Sequence, residues 1–317
     1  MTFEVVTFEP AHAVAAATIF TDSLAVLRRA VPALSAALTD RNEVVRRLQP
    51  ASGFAALQDG QLVGYLTGHH PIPRFRRTAR VGAYVAEWAH GVAHQDVAGV
   101  YSALYRAAAR EWATAGCDVH IITVLANQTA VIDAWFRAGF GMALVDAVRP
   151  ATPLGAAMPA GVTIRVATDA DVPDLVRLDA EHVRHYAEAP VFMASPIPYD
   201  GSTWHRFLAT PGSSAWLAAD GDVAVAFMRF DSEFDGAAVT EDAEGVFISG
   251  AFVLPSHRGR GIAVAVLDAA LRQLEQSGRR CCALDFESFN PEAGAFWPRH
   301  FTPVCVSLMR VPEAFGS

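Results

Sequence analysis

The chain has 317 residues, of which 52% are hydrophobic and 18% are charged, and its formal net charge at pH 7 is -8. This length and apolar content suffice for a large core and predict two domains. The negative charge argues against a nucleic-acid partner, because nonspecific binding to nucleic acid needs a basic surface.

The N-terminal segment carries no sign of an export signal. Residues 1–6 lack a basic region followed by an apolar one, and we expect no uninterrupted apolar stretch long enough to span a bilayer. We therefore expect a cytoplasmic protein that has no membrane partner.

The first half of the chain predicts alternating strands and helices. Strands are expected at residues 3–8, 53–57, 62–67, 81–89 and 119–125, and helices at residues 10–31, 33–48, 97–115 and 130–138. Asp59 and Gly60 lie between two short apolar runs, which is typical of a β-hairpin.

A second series of elements follows residues 149–161, whose three prolines and two glycines are typical of a linker. Strands are expected at residues 162–167, 215–219, 223–230, 246–254 and 280–287, and helices at residues 172–187 and 264–276. The order of strands and helices resembles that of the first half.

Two landmarks recur at nearly the same spacing in the two halves. Asp220, in a second Asp-Gly turn, follows Asp59 by 161 residues, and Asn290 follows Asn127 by 163 residues. Matched landmarks with a constant offset indicate a tandem repeat.

The loop after the predicted strand at 246–254 carries the clearest functional pattern. Gly259 and Gly261 let the backbone turn tightly and approach a ligand, and Arg258 and Arg260 add positive charge. Backbone N–H groups at the start of a helix lack intrahelical partners and attract an anion. The pattern predicts a seat for a diphosphate; the alternative is an ordinary glycine turn with two solvated arginines.

The same loop resembles a known family. It lacks the Gly-Lys-Ser/Thr of a P-loop and the third glycine of a dinucleotide-binding fingerprint. Arg258-x-x-Gly261-x-Ala263, after a strand and Pro255, instead resembles the acyl-CoA pyrophosphate loop of the GCN5-related N-acetyltransferase (GNAT) superfamily, whose motif reads Arg/Gln-x-x-Gly-x-Gly/Ala.

A second segment strengthens this resemblance. Asn290-x-x-Ala293-x-x-Phe296-Trp297 is similar to the Asn-x-x-Ala-x-x-Phe-Tyr segment of the same superfamily, and it follows the last predicted strand, as it does there.

The first half matches the second motif but not the first. Asn127-x-x-Ala130 and the following residues to Phe140 resemble the second motif well. Residues 88–96, where the diphosphate loop should lie, contain one glycine, no arginine and the acid Asp96. We expect this half to bind acyl-CoA weakly or not at all.

The resemblance implies an α/β (α+β) protein of two tandem GNAT-fold domains, each a mixed, mostly antiparallel twisted sheet flanked by helices. The implied domains are residues 1–148, with a degenerate loop, and residues 162–317, with the linker at 149–161. Acetyl-CoA or another acyl-CoA is the implied co-substrate. The implied CoA-binding residues are Phe252, Val253 and Leu254 for the pantetheine arm, Arg258, Gly259, Arg260, Gly261, Ile262 and Ala263 for the diphosphate, and Asn290, Phe296 and Trp297 beside them.

Direct acyl transfer needs a base for the amine and an acid or dipole for the leaving thiolate. Family members commonly place a carboxylate on the strand before the loop and a tyrosine in the second motif, and this chain has neither. The strand offers Ser249, with Glu244 just before it. Glu287, at the end of the last predicted strand, is the preferred base; the alternative is a carboxylate that only hydrogen-bonds a loop.

Acceptor recognition in the family usually falls to the segment between the first two helices and to the hairpin after the second strand pair. The residues there are His182, His185, Tyr186, Glu188, Phe192, Met193, Tyr199, Asp231, Glu233, Phe234 and Asp235. Trp204 and His205 could line the same cleft or face the core. The acids could attract a cationic amine or form a solvated loop.

No metal is expected. The four cysteines lack metal-ligand spacing, and a histidine pair such as His182 and His185 is more often a surface helix face than a metal site.

The sequence thus predicts an acyl-CoA-dependent N-acyltransferase whose C-terminal half moves an acetyl or short acyl group directly to a primary amine of a small molecule. The alternative is a catalytically weak or inactive acyl-CoA-binding regulatory or scaffold protein. A homodimer is left open.

Overall fold

The computed structural model describes residues 3–193 and 197–313, and the chain forms two compact units. Unit 1 is built from residues up to Ala147, from Ala237–Thr240 and from Phe286 onward; unit 2 is built from Val148–Gly236 and Glu241–Asp285. Residues 1 and 2 of the N-terminal segment considered above lie outside the described residues.

The elements of the first half follow the predicted order. The strands are β1 (Glu4–Thr7), β2 (Gly53–Gln58), β3 (Gln61–Thr67), β4 (His69–Ile72), β5 (Gly82–Val85), β6 (His90–Val92), β7 (Val119–Leu125) and β8 (Gly141–Pro150), and the helices are α1 (Ala13–Ala30), α2 (Arg41–Leu48), α3 (Val97–Thr114) and α4 (Thr129–Arg137). The predicted helix at 33–48 begins only at Arg41, because the Asp40 side chain caps α2 through the N–H of Asn42.

The second half repeats this order. Its strands are β9 (Val162–Val166), β10 (Ser214–Asp220), β11 (Val223–Asp231), β12 (Gly245–Val253), β13 (Cys281–Glu287) and β14 (Thr302–Arg310), and its helices are α5 (Val172–Ala187), α6 (Gly201–Ala209), α7 (Ile262–Gln276) and α8 (Pro291–Phe296). The structure adds β4, β6, β8, β14, α6 and α8 to the predicted elements.

Unit 1 contains a sheet with strand order β1-β2-β3-β6 and a further run of neighbouring strands, β4-β5-β7-β14-β8. The predicted strand at 81–89 is shorter in the structure, because β5 ends at Val85, and it pairs in parallel with β7. The separate strand β6 pairs antiparallel with β3. The Asp59-Gly60 turn joins β2 and β3 as predicted, with positive φ at both residues.

The last strand explains why the compact units differ from the predicted domain limits. β14 belongs to the second half of the chain, but it pairs antiparallel with β7 of the first half, from Cys305 opposite Leu125 to Arg310 opposite His120. Grouping by contacts therefore places the C-terminal residues in unit 1. The limits at 148 and 162 remain a prediction about the sequence repeat.

Helix α1 is the long apolar helix of unit 1. With the preceding turn it spans Pro10–Ala30, 21 residues that include an 18-residue window of mean hydropathy 1.3, which among the described residues makes it a candidate membrane span by length and composition only. The expectation that no stretch would be long enough is thus corrected. The buried residues recur every three or four positions, as in a helix packed against a core: Ala13, Ala16, Ala17, Phe20, Leu24 and Leu27.

A short segment of the β11–β12 connection also belongs to unit 1. The N–H of Ala237 donates to Asp146 at 2.8 Å, and the N–H of Val239 donates to Glu87 at 2.9 Å. Both carboxyl groups are almost fully buried. Burial raises the pKa of Glu87 to about 7 and that of Asp146 to about 6.

Unit 2 has the strand order β13-β12-β11-β10-β9, in which all pairs except β12 with β13 are antiparallel. Helices α5 and α6 cover one face, where Leu175, Leu178, Trp204, Phe227 and Phe252 form the centre of the core. Both units thus have the mixed, mostly antiparallel architecture that the sequence predicts.

The predicted linker is fixed to unit 2 by one buried carboxylate. Asp268, on α7, accepts hydrogen bonds from the N–H groups of Leu154 (2.6 Å) and Gly155 (2.9 Å) and pairs with Arg272 at 2.7 Å. Burial alone would raise the pKa of Asp268, but these hydrogen bonds outweigh it and the pKa is lowered. The residues before β9 therefore have a defined course although they lack regular structure.

Candidate active site

The glycine loop between β12 and α7 has the conformation that an anion seat requires. Gly259 and Gly261 have φ of 75° and 79°, in the left-handed region that favours glycine. Nothing lies within 4 Å of the position that a Cβ would take at either residue. The backbone of the loop is therefore open to a ligand.

The start of α7 has no cap from the protein. Gly261 is the N-cap residue and has no side chain to offer. In the part of the chain that the structure describes, no acceptor meets the backbone N–H groups of the residues that follow Arg258 and precede Ala265. These are Gly259, Arg260, Gly261, Ile262, Ala263 and Val264. Unpartnered N–H groups at a helix start carry partial positive charge.

The corresponding helix of the first half is capped. Asp96, the N-cap residue of α3, accepts a hydrogen bond from the N–H of Gly99 at 2.9 Å. A carboxylate thus occupies the start of α3, where an incoming phosphate would be repelled.

The basic side chains of the loop are held by neighbours. Arg260 pairs with Asp220 at 2.9 Å, and the His257 Nε2 atom lies 3.5 Å from the same carboxylate. Arg258 donates from Nε to the carbonyl oxygen of Val253 at 3.2 Å and lies over the Phe252 ring. Arg258 therefore fixes the loop to the end of β12, and Asp220 neutralises part of the positive charge.

The two strands beside the loop separate. β12 pairs with β13 only from Gly245 to Ile248, whereas its pairing with β11 continues to Val253. The β13 side of the backbone from Ser249 to Val253 is thus an open strand edge. Such an edge can take an extended ligand that carries amide groups.

A β-bulge marks the point where β12 and β13 part. Phe230 pairs with Ile248 and Arg229 pairs with Gly250, so Ser249 is the extra residue of β12. Arg229 donates from Nη2 to the carbonyl oxygen of Ser249 at 2.9 Å, and a Cβ at Gly250 would lie 2.8 Å from that nitrogen. The glycine lets the buried guanidinium cross the strand and hold the bulge.

Comparison with known proteins agrees with this geometry. Residues 181–301 match the family model described as Acetyltransferase (GNAT) family. Comparison with curated protein sequences finds no significant match.

Three solved structures share the fold. A GCN5-related N-acetyltransferase from Sphaerobacter thermophilus is 17% identical with a TM-score of 0.57, covering 97% of this chain and 95% of its own. A tandem GNAT protein from the clavulanic acid biosynthesis pathway is 14% identical with a TM-score of 0.51, and the match covers 99% of this chain and 100% of that protein.

The third is a glucosamine N-acetyltransferase region of a fungal multi-domain GH3 beta-N-acetylglucosaminidase, 14% identical with a TM-score of 0.54; the match covers 97% of this chain and 38% of that protein. Residues 181–301 thus match a GNAT-family domain, and the chain as a whole has the fold of tandem GNAT proteins. The recognition and the fold class predicted from the sequence are thereby confirmed.

The GNAT loop residues Arg258 to Ala263 and the strand residues Phe252, Val253 and Leu254 all lie in unit 2, at the open edge and the uncapped helix. The structure brings these nine predicted CoA-binding residues together. Their role in binding remains a prediction.

The residues of the predicted second motif lie in unit 1 and already have partners there. The Asn290 side chain caps α8 by accepting from the N–H of Ala293 at 3.3 Å. Phe296 contacts the rings of Trp297 and His300 at centroid distances of 4.8 Å, and Trp297 is buried against Phe301. These contacts hold α8 in place, and a role towards CoA remains a prediction.

The three candidate catalytic residues have different surroundings. Ser249 forms the bulge, and its Oγ is buried without a hydrogen-bond partner among the described residues. Glu287 ends β13 in unit 1; burial raises its pKa, and Arg76 offsets part of the rise. Glu244 lies at the opposite end of β12 from the loop, lining a cleft of about 450 Å³ with Arg279, so the structure does not support Glu244 as a base.

The expected acceptor residues of the GNAT fold divide into core and surface groups. Trp204 is fully buried, and His182 is buried against Phe227 and Phe252, where burial lowers its pKa. Phe192 is 75% exposed, and Glu233 and Asp235 are exposed. In the described residues, no cluster of three metal-ligand side chains occurs.

Sequence reasoning missed Arg229. The residue is 8% exposed, and its guanidinium lies over the rings of Tyr199 (4.5 Å) and Trp204 (5.6 Å). No local motif surrounds it. Only the cross-strand pairing with Gly250, which directly follows Ser249 in β12, could have indicated it.

Proposed function

We propose that the C-terminal half transfers an acetyl or short acyl group from acyl-CoA directly to a primary amine of a small molecule. The observation that carries the proposal is the row of unpartnered N–H groups from Gly259 to Val264, at the start of α7. A diphosphate is the complementary occupant, because its oxygens accept hydrogen bonds and its negative charge matches the helix dipole.

The open edge of β12 supports the same co-substrate. A pantetheine arm contains two amides in an extended chain, and the free edge from Ser249 to Val253 offers backbone groups to pair with them. Arg258, fixed to Val253, would then lie between this arm and the diphosphate seat. Acyl-CoA supplies the thioester whose carbonyl carbon receives the amine.

The proposal assigns one acyl-CoA site to the chain, in the C-terminal half. The start of α3 carries the Asp96 carboxylate, whereas the start of α7 carries none. The N-terminal half then serves as a scaffold. Asn290, Phe296 and Trp297 are carried over from the family motif as further CoA contacts, and Glu287 as a base to be tested.

We place the protein in the cytoplasm, with the amine acceptor and acyl-CoA as its ligands and no nucleic-acid or membrane partner. The net charge of -8 supports the exclusion of nucleic acid.

Turnover with a defined panel of amines tests the proposal. Purified protein is incubated with acetyl-CoA and, separately, with tyramine, putrescine, glucosamine or lysine, and the release of free CoA thiol is followed. We expect release that depends on one of these amines. Tight binding of acetyl-CoA by calorimetry, with no amine-dependent release of thiol, would contradict catalysis and favour the regulatory alternative.

A further inference from the structure

We propose that Asp231, on β11, is the residue that takes the proton from the acceptor amine. This assignment rests on the proposed acyl transfer and adds a catalytic residue to it. β12, the strand before the glycine loop, has no carboxylate. Asp231 would supply one from the neighbouring strand, β11.

The strand register places Asp231 beside the bulge. Asp231 is the last residue of β11 and lies directly opposite Phe247 of β12. Side chains directly opposite each other in an antiparallel pair point to the same face, and so do residues two apart on one strand. Asp231 therefore shares a face with Arg229 and lies next to the bulged residue, Ser249.

The segment around α6, which we expect to recognise the acceptor, covers this face of the sheet. Arg229 lies over the rings of Tyr199, just before α6, and Trp204, within α6. The carboxyl group of Asp231 thus faces the acceptor side of the sheet. The bulge at Ser249 is also where the open edge of β12 begins, so the carboxyl lies near the end of the proposed pantetheine track.

Several polar groups surround the carboxyl. Burial raises the pKa of Asp231, while Ser249, Arg229 and Ser213 lower it and Glu233 raises it. Arg229 in turn acts on His182 of α5, whose pKa is lowered chiefly by burial, and Asp179 of α5 accepts from the N–H of Tyr199. The balance is a carboxylate that binds a proton more readily than an exposed aspartate does, which suits a base.

The other acids fit this role less well. Glu233 and Asp235 are exposed, whereas Asp231 is half-buried. Glu244 lies at the far end of β12, beside Arg279. Asp231 is the acid that the register places next to Ser249.

The reaction balances as follows. The ammonium form of the acceptor gives one proton to the Asp231 carboxylate, and the freed lone pair on nitrogen forms a C–N bond with the thioester carbonyl carbon. The C–S bond breaks, its electron pair stays on sulfur, and the thiolate takes the second proton that nitrogen loses. Asp231 then returns its proton to solvent.

Replacing Asp231 by asparagine tests the assignment, with acetyl-CoA and the turned-over amine of the panel as substrates. We expect kcat to fall about 100-fold, because a general base contributes about 10² to 10⁴ in rate. The KM for acetyl-CoA should stay within about twofold, and the acidic limb of the kcat–pH profile should disappear. The matched control is Asp222→Asn, at an exposed aspartate in the turn before β11, which should behave like the wild type.

Two comparisons keep the test decisive. If Asp231→Asn does not fold, Asp231→Glu keeps the charge, and its acidic limb should be displaced from that of the wild type; an unchanged limb would overturn the assignment. Full kcat and an unchanged acidic limb in Asp231→Asn would also overturn the assignment. So would loss of the acidic limb in Glu287→Gln if Asp231→Asn keeps it. A wild type that turns over none of the amines would overturn the proposed function and this assignment together.

Discussion

The carboxylate of Asp96 accepts a hydrogen bond from the backbone N–H of Gly99 at 2.9 Å, at the start of α3. The equivalent position of the second half is Gly261, which has no side chain and leaves the start of α7 uncapped. Two copies of one fold thus differ at the helix start where we propose that the diphosphate binds. The first half carries the negative charge of Asp96 at this position, and the second half has no side chain there.

This difference predicts the binding stoichiometry. We expect isothermal titration calorimetry with acetyl-CoA to give one site per chain, because an anion at the start of α3 would meet the Asp96 carboxylate and a helix end whose amides are partly satisfied. A stoichiometry of two would show that the first half also binds the co-substrate.

Gly261→Glu should abolish binding of acetyl-CoA, lowering the affinity by at least about 100-fold. The added carboxylate would enter the open space at the start of α7 and repel the diphosphate. The affinity is measured by calorimetry, with circular dichroism to verify folding.

The matched control is Gly278→Glu, because Gly278 has nearly the same φ, 77°, and equally open surroundings, but follows the end of α7. Both substitutions carry the same backbone strain. Loss of binding in both variants would mean that strain, and not the diphosphate seat, explains the effect at Gly261.

Features that depend on nearby residues could be predicted from the sequence. The pattern Arg258-x-x-Gly261-x-Ala263 places glycine where the backbone turns left-handed before a helix, and the structure has this turn. The Asp-Gly hairpins and helix α5 were also predictable, because turn chemistry and hydrophobic periodicity are local.

Features that depend on pairing between distant strands could not. β14 pairs with β7, from which it is separated by well over a hundred residues, and no local pattern specifies that partner. The bulge at Ser249 depends on the register against β11, and so does the placement of Asp231 beside it. The sequence therefore indicated the glycine loop and offered Glu287 as a base, but it could not place Asp231 beside the bulge.

Asp268→Asn should destabilise unit 2 at neutral pH by about 2 kcal/mol, since it weakens the hydrogen bonds that the buried Asp268 carboxylate accepts from two N–H groups of the linker and its pair with Arg272. The folded-state pKa of Asp268 is lowered, so the unfolded chain binds its proton more readily. The contribution is therefore present above about pH 4 and is lost as pH falls further.

Urea unfolding of the wild type and Asp268→Asn at pH 7 and pH 3 measures this effect. Asp174→Asn is the control, because Asp174 forms an exposed pair with Arg177 and should change the free energy of unfolding by less than about 0.5 kcal/mol. An equal loss in both variants at pH 7 would contradict the role of the buried carboxylate.

Glu87→Gln should make the stability of the protein less dependent on pH. Burial raises the pKa of Glu87 to about 7 in the folded chain, so between about pH 4.5 and 7 the folded state binds more protons than the unfolded state. The free energy of unfolding of the wild type therefore falls as pH rises through this range, by up to about 3 kcal/mol from this group. Glutamine can still accept from the N–H of Val239 and has no charge to desolvate.

Urea unfolding of the two proteins at pH 5 and pH 8 gives the comparison. We expect Glu87→Gln to gain about 2 kcal/mol relative to the wild type between these pH values. Any cost of the new amide group at the buried, unpartnered Oε2 position is the same at both and cancels. Glu4→Gln, at an exposed glutamate of β1, should show no such gain. A difference between wild type and Glu87→Gln that does not change with pH would mean that Glu87 is ionised throughout, and that the segment Ala237–Thr240 is held by a charged carboxylate.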